Sequence, residues 1–412
     1  MPGPGPAGNT GTGRLFYVDS LRIVATAVIF AYHSARPFDD FERWHVKFNH
    51  VSTWFAYPMG VGSQFAMPLF WTLSGIATWT ALETHAPSEF VRRRLLRLGV
   101  PVALVGWWVL CPPQVYIEAT TGQDYLAPPF SGSYLDFLRV YPANGLYEHG
   151  GWFPLEALHL WYLAYLAAFT VAALPAFALL RTAGGRRLIA GLGASARRWW
   201  LLPALGLPVV ACELLLPTSL PLLGRYLGGW RLATYVLLLV LGFVLGGDPR
   251  LLAAAERRRR LWLGLSLVTV VPLLVWAPTI LDLPEGTRPF FLEWGLRALN
   301  GWLCLLALLG YGAHYLNRPA RLLAASGELV LPFYILHQTL IVLVVYAIRD
   351  WPLPVGPAWL LTMLVAGAAS LGGALVLRQF RVTRFLFGLP AGVSPPRTTR
   401  PALPQQPRPA PG

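Results

Sequence analysis

The sequence predicts an all-α, polytopic membrane protein of about ten transmembrane helices, with both termini cytoplasmic. Three observations carry that expectation. Of the 412 residues, 55% are hydrophobic and only 13% charged, against about a quarter charged in soluble domains. Mean hydropathy is +0.50, with 17 Trp and 37 Pro, a composition of the membrane class. Apolar runs close to the roughly 20 residues that cross a hydrocarbon core recur along the chain, with no room left for a large soluble domain.

In chain order, residues 1–13 are rich in Gly and Pro and read as a disordered tail. A membrane domain over 14–390 follows, and then a second Pro-rich, disordered tail over 391–412. Spans are expected near 15–33, 62–82, 99–117, 156–180, 199–217, 229–247, 261–281, 292–312, 327–348 and 358–378. Interior prolines such as Pro68, Pro208 and Pro272 mark kinks that membrane helices tolerate. The first run is no cleavable signal peptide. It contains Asp19 and Arg22 and lacks both a basic leading region and a small-residue cleavage site.

Arginine placement orients the spans. With the N-terminus inside, the inside loops hold Arg92, Arg93, Arg94 and Arg97, then Arg181, Arg186, Arg187, Arg197 and Arg198. Arg250, Arg257 to Arg260, Arg318, Arg321 and the tail from Arg378 complete the set, while the outside loops are sparsely basic. Two outside loops, about 34–61 and 118–155, are long and rich in aromatic residues, Gly and Pro. Loops of that length are functional or disordered. Their aromatics favour an ordered lid, with interfacial aromatic belts as the alternative.

The formal charge of +14 does not indicate nucleic acid. The arginines sit in short clusters between apolar runs, whereas nucleic-acid binding needs a continuous basic face. Cys111, Cys212 and Cys304 lie inside apolar runs without metal spacing and read as buried small hydrophobes. No metal is expected.

Chemistry concentrates in a few polar residues inside these runs. Arg22 sits near the middle of the first span and His33 at its outer end. Eleven residues at 1.5 Å each separate them by roughly 16 Å and about three turns, which puts both on nearly one face. A mid-membrane arginine costs about 2.5–3.5 kcal/mol to insert, so it needs a partner or a function. Asp19, three residues earlier, is the structural alternative. In the second span Ser74 and Gly75 (PLFWTLSGIA) supply a polar group and a point of close approach. The segment FVRRRLLRLGVP that follows offers arginines for a phosphorylated cofactor, or else only a topology signal. His159 and Glu156 (EALHLWYLAYL) lie at the outer end of the fourth span, and His337 (SGELVLPFYILHQTL) lies mid-membrane in the ninth. Each histidine alone reads as packing, but three of them with Arg22, Glu156 and Glu328 indicate a functional cavity. His45, His50, His85, His149 and His314 read as loop residues without useful pairing.

These residues resemble the acyltransferase 3 family of membrane-bound acyltransferases. The resemblance covers about residues 14 to 390. It rests on DSLRIVATAVIFAYHS with its Arg22-to-His33 spacing, and on FWTLSG, FVRRRLLRLGVP, HLWYL and SGELVLPFYILHQ in that order. HLWYLAYL is similar to the branch containing glucan-modifying succinyltransferases, which leaves the acceptor open. The resemblance implies transfer of an acetyl- or succinyl-class group from cytoplasmic acyl-CoA, a co-substrate, to a hydroxyl of a glycan or small acceptor at the outer face of an inner membrane. An imidazole with a pKa near 6.5 can take the proton of that hydroxyl, which assigns His33 as general base. Arg22 then stabilises the donor or the developing oxyanion. Arg93, Arg94 and Arg97, with Ser74, hold the donor, and His337, His159 and Glu156 line the path. The rival reading is a ten-helix transporter or flippase of a small molecule or lipid-linked glycan. Against it, the two halves show no inverted repeat.

Overall fold

The computed structural model describes residues 15–390 except 41–42, 123–125, 277–286 and 319–320, with the backbone but not the side chains of 276 and 321–325. Both expected tails and the end of the expected span 261–281 therefore lie outside the described residues.

The described chain is predominantly helical. It begins with α1 (Phe16–Ala35), α2 (Ala56–Thr84), α3 (Pro87–Val100) and α4 (Cys111–Thr121), the last two joined by a π-helical stretch, Pro101–Leu110. After α5 (Tyr134–Val140) come α6 (Trp161–Ala172), α7 (Leu174–Arg181), α8 (Ala183–Ser195), α9 (Leu201–Ala204) and α10 (Leu207–Leu215). A two-stranded antiparallel hairpin, β1 (Tyr226–Leu227) and β2 (Trp230–Arg231), precedes α11 (Leu232–Gly247) and α12 (Pro249–Arg257). The bundle closes with α13 (Arg259–Trp276), α14 (Arg288–Tyr315), α15 (Arg321–Ile348), α16 (Val355–Leu377) and α17 (Arg381–Leu386).

Each expected span overlaps helix. By length and composition, five described segments are long and apolar enough to cross a membrane: Thr53–Thr84, Pro87–Thr121, Arg288–Tyr315, Ser326–Ile348 and Val355–Leu377. Counting two bent helix pairs as single spans raises the number to seven. These are Leu158–Ala172 with Leu174–Arg181 at 49°, and Leu232–Gly247 with Pro249–Arg257 at 97°. Polar residues weaken α1 as an apolar segment, for it carries Asp19, Arg22 and His33.

The third segment departs most from its expected bounds. It is one helical run, Pro87–Thr121, rather than a loop followed by a span over 99–117. Pro87 at its first turn and Glu89 beside it suit a helix start. Thirty-five residues span about 52 Å, well beyond a hydrocarbon core of about 30 Å. The arginine-rich start is thus an extension of the same helix. Within the run the ladder shifts to π geometry from Pro101 onward, where proline supplies no N–H.

α2 packs closely along α11. A Cβ on Gly75 would meet the Leu239 carbonyl oxygen at 2.1 Å, and one on Gly242 would meet the Thr72 carbonyl oxygen at 2.2 Å. The two glycines therefore set the backbone separation there. The described residues of both long loops are folded. In the first, Phe38, Trp44, Val46 and Phe48 are buried against α15 and α16, and Lys47 donates to the carbonyls of Arg36 and Asp39 at 2.7 and 2.9 Å. In the second, Phe130, Phe137, Tyr141 and Trp152 pack ring against ring. These aromatics face one another, whereas Trp54 and Trp108 are exposed in the manner of an interfacial belt.

Candidate active site

Three histidines meet inside the bundle. The last turn of α1 presents His33, and the middle of α15 presents His337. His159 sits in a 3-10 turn, Leu158–Leu160, just ahead of α6. Its first residue and the one before it are non-glycine residues in the left-handed region, Leu158 at φ 52° and Ala157 at φ 58°. Such backbone is costly for residues with a Cβ and recurs at functional sites. Here it turns His159 inward, where it is 3% exposed. The ring centres of His33 and His337 lie 5.1 Å apart, those of His159 and His337 5.3 Å, and those of His33 and His159 6.5 Å.

Hydrogen bonds fix two of these rings. His159 Nε2 donates to the Ile335 carbonyl at 3.0 Å, and His337 Nδ1 donates to the Tyr334 carbonyl at 2.6 Å. Because a carbonyl only accepts, those nitrogens carry the protons in the neutral rings. Nδ1 of His159, Nε2 of His337 and Nδ1 of His33 are buried without partners among the described residues. A cleft bounded by Tyr32, His33, Ser63, His159, Trp161, Gly228 and Tyr334 opens beside them. Gly228, at φ +56°, lies so close that a Cβ there would meet the Trp161 ring at 2.8 Å.

A second polar group lies further along α1. Arg22 donates to Asp19 at 3.3 Å and to the Leu73 carbonyl of α2 at 3.4 Å. Asp19 is therefore a partner, as its spacing allows, but Arg22 also engages α2. Arg94 and Arg97 lie near enough to Arg22 for mutual repulsion, and both are near Tyr162. Nε and Nη2 of Arg94 are buried with no partner among the described residues. The Ser74 and Tyr162 hydroxyls are 3.0 Å apart. Arg22, Arg94 and the exposed Arg97 thus lie near one another and near Tyr162, a net positive cluster suited to an anion.

Tyr162 joins the two groups. It lies three residues after His159, and its ring packs edge-on against Tyr334 at 6.2 Å. Tyr334 in turn donates to the His159 carbonyl. A ring contact and a backbone carbonyl therefore connect Tyr162 to His159 through Tyr334.

Not every expected site residue joins this path. Arg93 points outward, 62% exposed, and pairs with Glu89 at 2.5 Å. On one helix it lies about 100° from Arg94, so the two side chains leave different faces. Glu156 is engaged by Arg225 and by the Tyr165 hydroxyl. Glu328 faces Arg384 at 3.9 Å. Among the described residues no group of three or more His, Cys, Asp or Glu side chains is arranged to hold a metal ion.

His45 corrects the expectation that it is an unpaired loop residue. It is 4% exposed, and its Nδ1 lies 2.7 Å from Glu118. The expectation for His314 is likewise corrected, since it faces Glu256 at 3.1 Å. Tyr162 and Tyr334 also bear on the site without having been singled out, and Gln338 and Glu118 meet His45 beside it. Tyr162 and Gln338 stand within motifs read for their histidines, at helical spacing from His159 and next to His337. Nothing local marks Glu118.

The apolar helices and the interior histidine group define a multi-pass membrane protein with a buried site. A family model of acyltransferase 3, described as an acyltransferase domain, matches residues 15–379, and the chain belongs to that family. It is by family a membrane acyltransferase. No curated protein matches the chain, and no solved structure does.

Proposed function

We propose that the protein is an O-acyltransferase that moves an acyl group of the acetyl or succinyl class from cytoplasmic acyl-CoA to a hydroxyl of a glycan or other hydroxylated acceptor at the outer face of an inner membrane. The carrying observation is the group of three interior histidines connected through Tyr334 and Tyr162 toward the arginines. His33 removes the acceptor's hydroxyl proton as its oxygen attacks the thioester carbonyl, and the coenzyme A thiol then departs. The arginines hold the donor's phosphates. Reacting atoms must approach within about 3.5 Å, and Arg22 stands roughly 16 Å along α1 from His33. Arg22 therefore serves the donor's charged or polar portion rather than an oxyanion formed at His33. The pantetheine arm of a coenzyme A thioester is long enough to cover such a separation.

The decisive experiment supplies purified protein in nanodiscs with acetyl-CoA or succinyl-CoA and glycerol as a hydroxyl acceptor, and measures thiol release and glycerol ester together. Ester formation with stoichiometric thiol supports the reading. Its absence, combined with uptake of solute into proteoliposomes, would favour the transporter. Mass spectrometry of envelope glycans and secreted metabolites, with and without the gene, then identifies the acceptor.

Ten crossings with both termini cytoplasmic complete this proposal, supported by the arginine-rich loops. A reporter fused after Leu180 or after Arg260 is expected to read cytoplasmic, and one after Glu148 external. An external signal at either arginine-rich position would reverse the donor and acceptor sides.

A further inference from the structure

Two histidines beside His33 hold lone pairs that the mechanism above does not use. His159 is 3% exposed and His337 1%. Their bonds to the Ile335 and Tyr334 carbonyls, at 3.0 and 2.6 Å, occupy the N–H of each neutral ring. Nδ1 of His159 and Nε2 of His337 are therefore acceptors only. Both are buried with no partner among the described residues.

Both lone pairs stand next to the base. The ring centre of His337 lies 5.1 Å from that of His33 and 5.3 Å from that of His159. His337 Nδ1 turns back to a carbonyl of its own helix, so Nε2, across the ring, projects away from that backbone. His159 and His33 line the same cleft, together with Ser63 and Tyr334. The hydroxyls of that cleft wall are engaged elsewhere. Ser63 donates to the Gly60 carbonyl at 2.8 Å, and Tyr334 donates to the His159 carbonyl. A buried acceptor without a donor is costly, so a molecule that suits this cleft brings hydrogens for these nitrogens. The reacting hydroxyl carries one hydrogen, and His33 takes it. Any further donor must come from another group of the same molecule.

We propose that His159 and His337 select the acceptor, their free nitrogens accepting hydrogen bonds from hydroxyls next to the one that His33 deprotonates. The proposal rests on the reading of the protein as an O-acyltransferase with His33 as base, and it adds the class of alcohol. Sugars and small polyols with neighbouring hydroxyls meet the requirement. A simple alcohol brings no second hydrogen, and an ether oxygen only accepts, so it would face a lone pair. Sites built to bond a substrate hydroxyl reject analogues that lack it, because their own polar groups are left unpaired. The competing role is packing, which would slow transfer to all alcohols alike.

The test gives the full chain in nanodiscs acetyl-CoA with equal concentrations of ethylene glycol and one of two competitors, and quantifies both acetate esters together. Propanol matches the glycol in size, and ethylene glycol monomethyl ether replaces only the hydrogen of its second hydroxyl. The ester ratio reports the ratio of kcat/KM values and is independent of how much of a variant is folded. Allowing for its two equivalent hydroxyls, the glycol is expected to be preferred about 10–100-fold over each competitor. His159→Leu, and His337→Asn, which keeps an N–H for the Tyr334 carbonyl, should each lower that preference on the order of tenfold. His33→Gln should slow every ester and leave the ratio unchanged. Should His159→Leu fail to fold at all, His337→Asn decides. A wild-type ratio near one, or a preference that survives in both variants, overturns the selecting role while glycol ester keeps the acyltransferase reading standing. Ester from none of the three alcohols overturns both.

Discussion

His33→Gln is expected to lower acyl transfer about 10²–10⁴-fold, the usual worth of a general base, or on the order of 3–5 kcal/mol of barrier. Glutamine retains hydrogen-bonding capacity but cannot accept a proton near neutral pH, so the substitution isolates proton transfer from packing. Insertion and yield should be unchanged, since His33 lies in the last turn of α1 and is only half-buried. The assay is thiol release with ester formation in purified, nanodisc-embedded protein. Turnover at a tenth of wild type or more would make His33 a positioning residue.

The geometry also says where the base would then be sought. His159 and His337 each hold one N–H on a backbone carbonyl and keep the other nitrogen unpartnered. His159→Gln and His337→Gln are the corresponding comparisons. If His33 is the base, both should retain more activity than His33→Gln. His159 is seated on strained backbone, so its replacement must be read beside a thermal transition.

Much of the architecture was legible because a bilayer imposes a length and a polarity on every crossing. Hydropathy located helix at each expected span, and of the polar residues inside those spans Ser74, His159 and His337 are buried and Arg22 partly so. Boundaries were less legible. FVRRRLLRLG reads as a loop because charge density, which marks the end of an apolar run, says nothing about whether the helical ladder continues beyond it. The difference between Arg93 and Arg94 is likewise rotational, and it depends on where the run starts. Loop partners were illegible for another reason. His45 and Glu118 are 73 residues apart, and no periodicity links a loop histidine to a carboxylate on a later helix. The inward turn of His159 depends on left-handed backbone at Ala157 and Leu158, for which neither residue type gives a signal.

Arg94 provides the sharpest test of the donor end, since Arg93 beside it serves as a built-in control. Arg94→Gln is expected to raise KM for acyl-CoA about 10–150-fold, equivalent to the 1.5–3 kcal/mol of one hydrogen bond to a charged group. Arg93→Gln should change KM less than about twofold, because an exposed ion pair with Glu89 contributes little. A second readout separates donor binding from folding. Arg94 keeps buried guanidinium nitrogens unpartnered, and a buried, uncompensated charge disfavours the folded state. Arg94→Gln should therefore leave Tm of the donor-free protein unchanged or raise it. Coenzyme A at 100 times its Kd should stabilise wild type by about 2.7 kcal/mol, and the same concentration should stabilise Arg94→Gln far less. Arg97→Gln is expected to follow Arg94, since both lie near Arg22 and Tyr162. An equal KM effect from Arg93→Gln in correctly inserted protein would move the phosphate site to the outer face of α3. A lowered donor-free Tm in Arg94→Gln would instead make that arginine a structural residue.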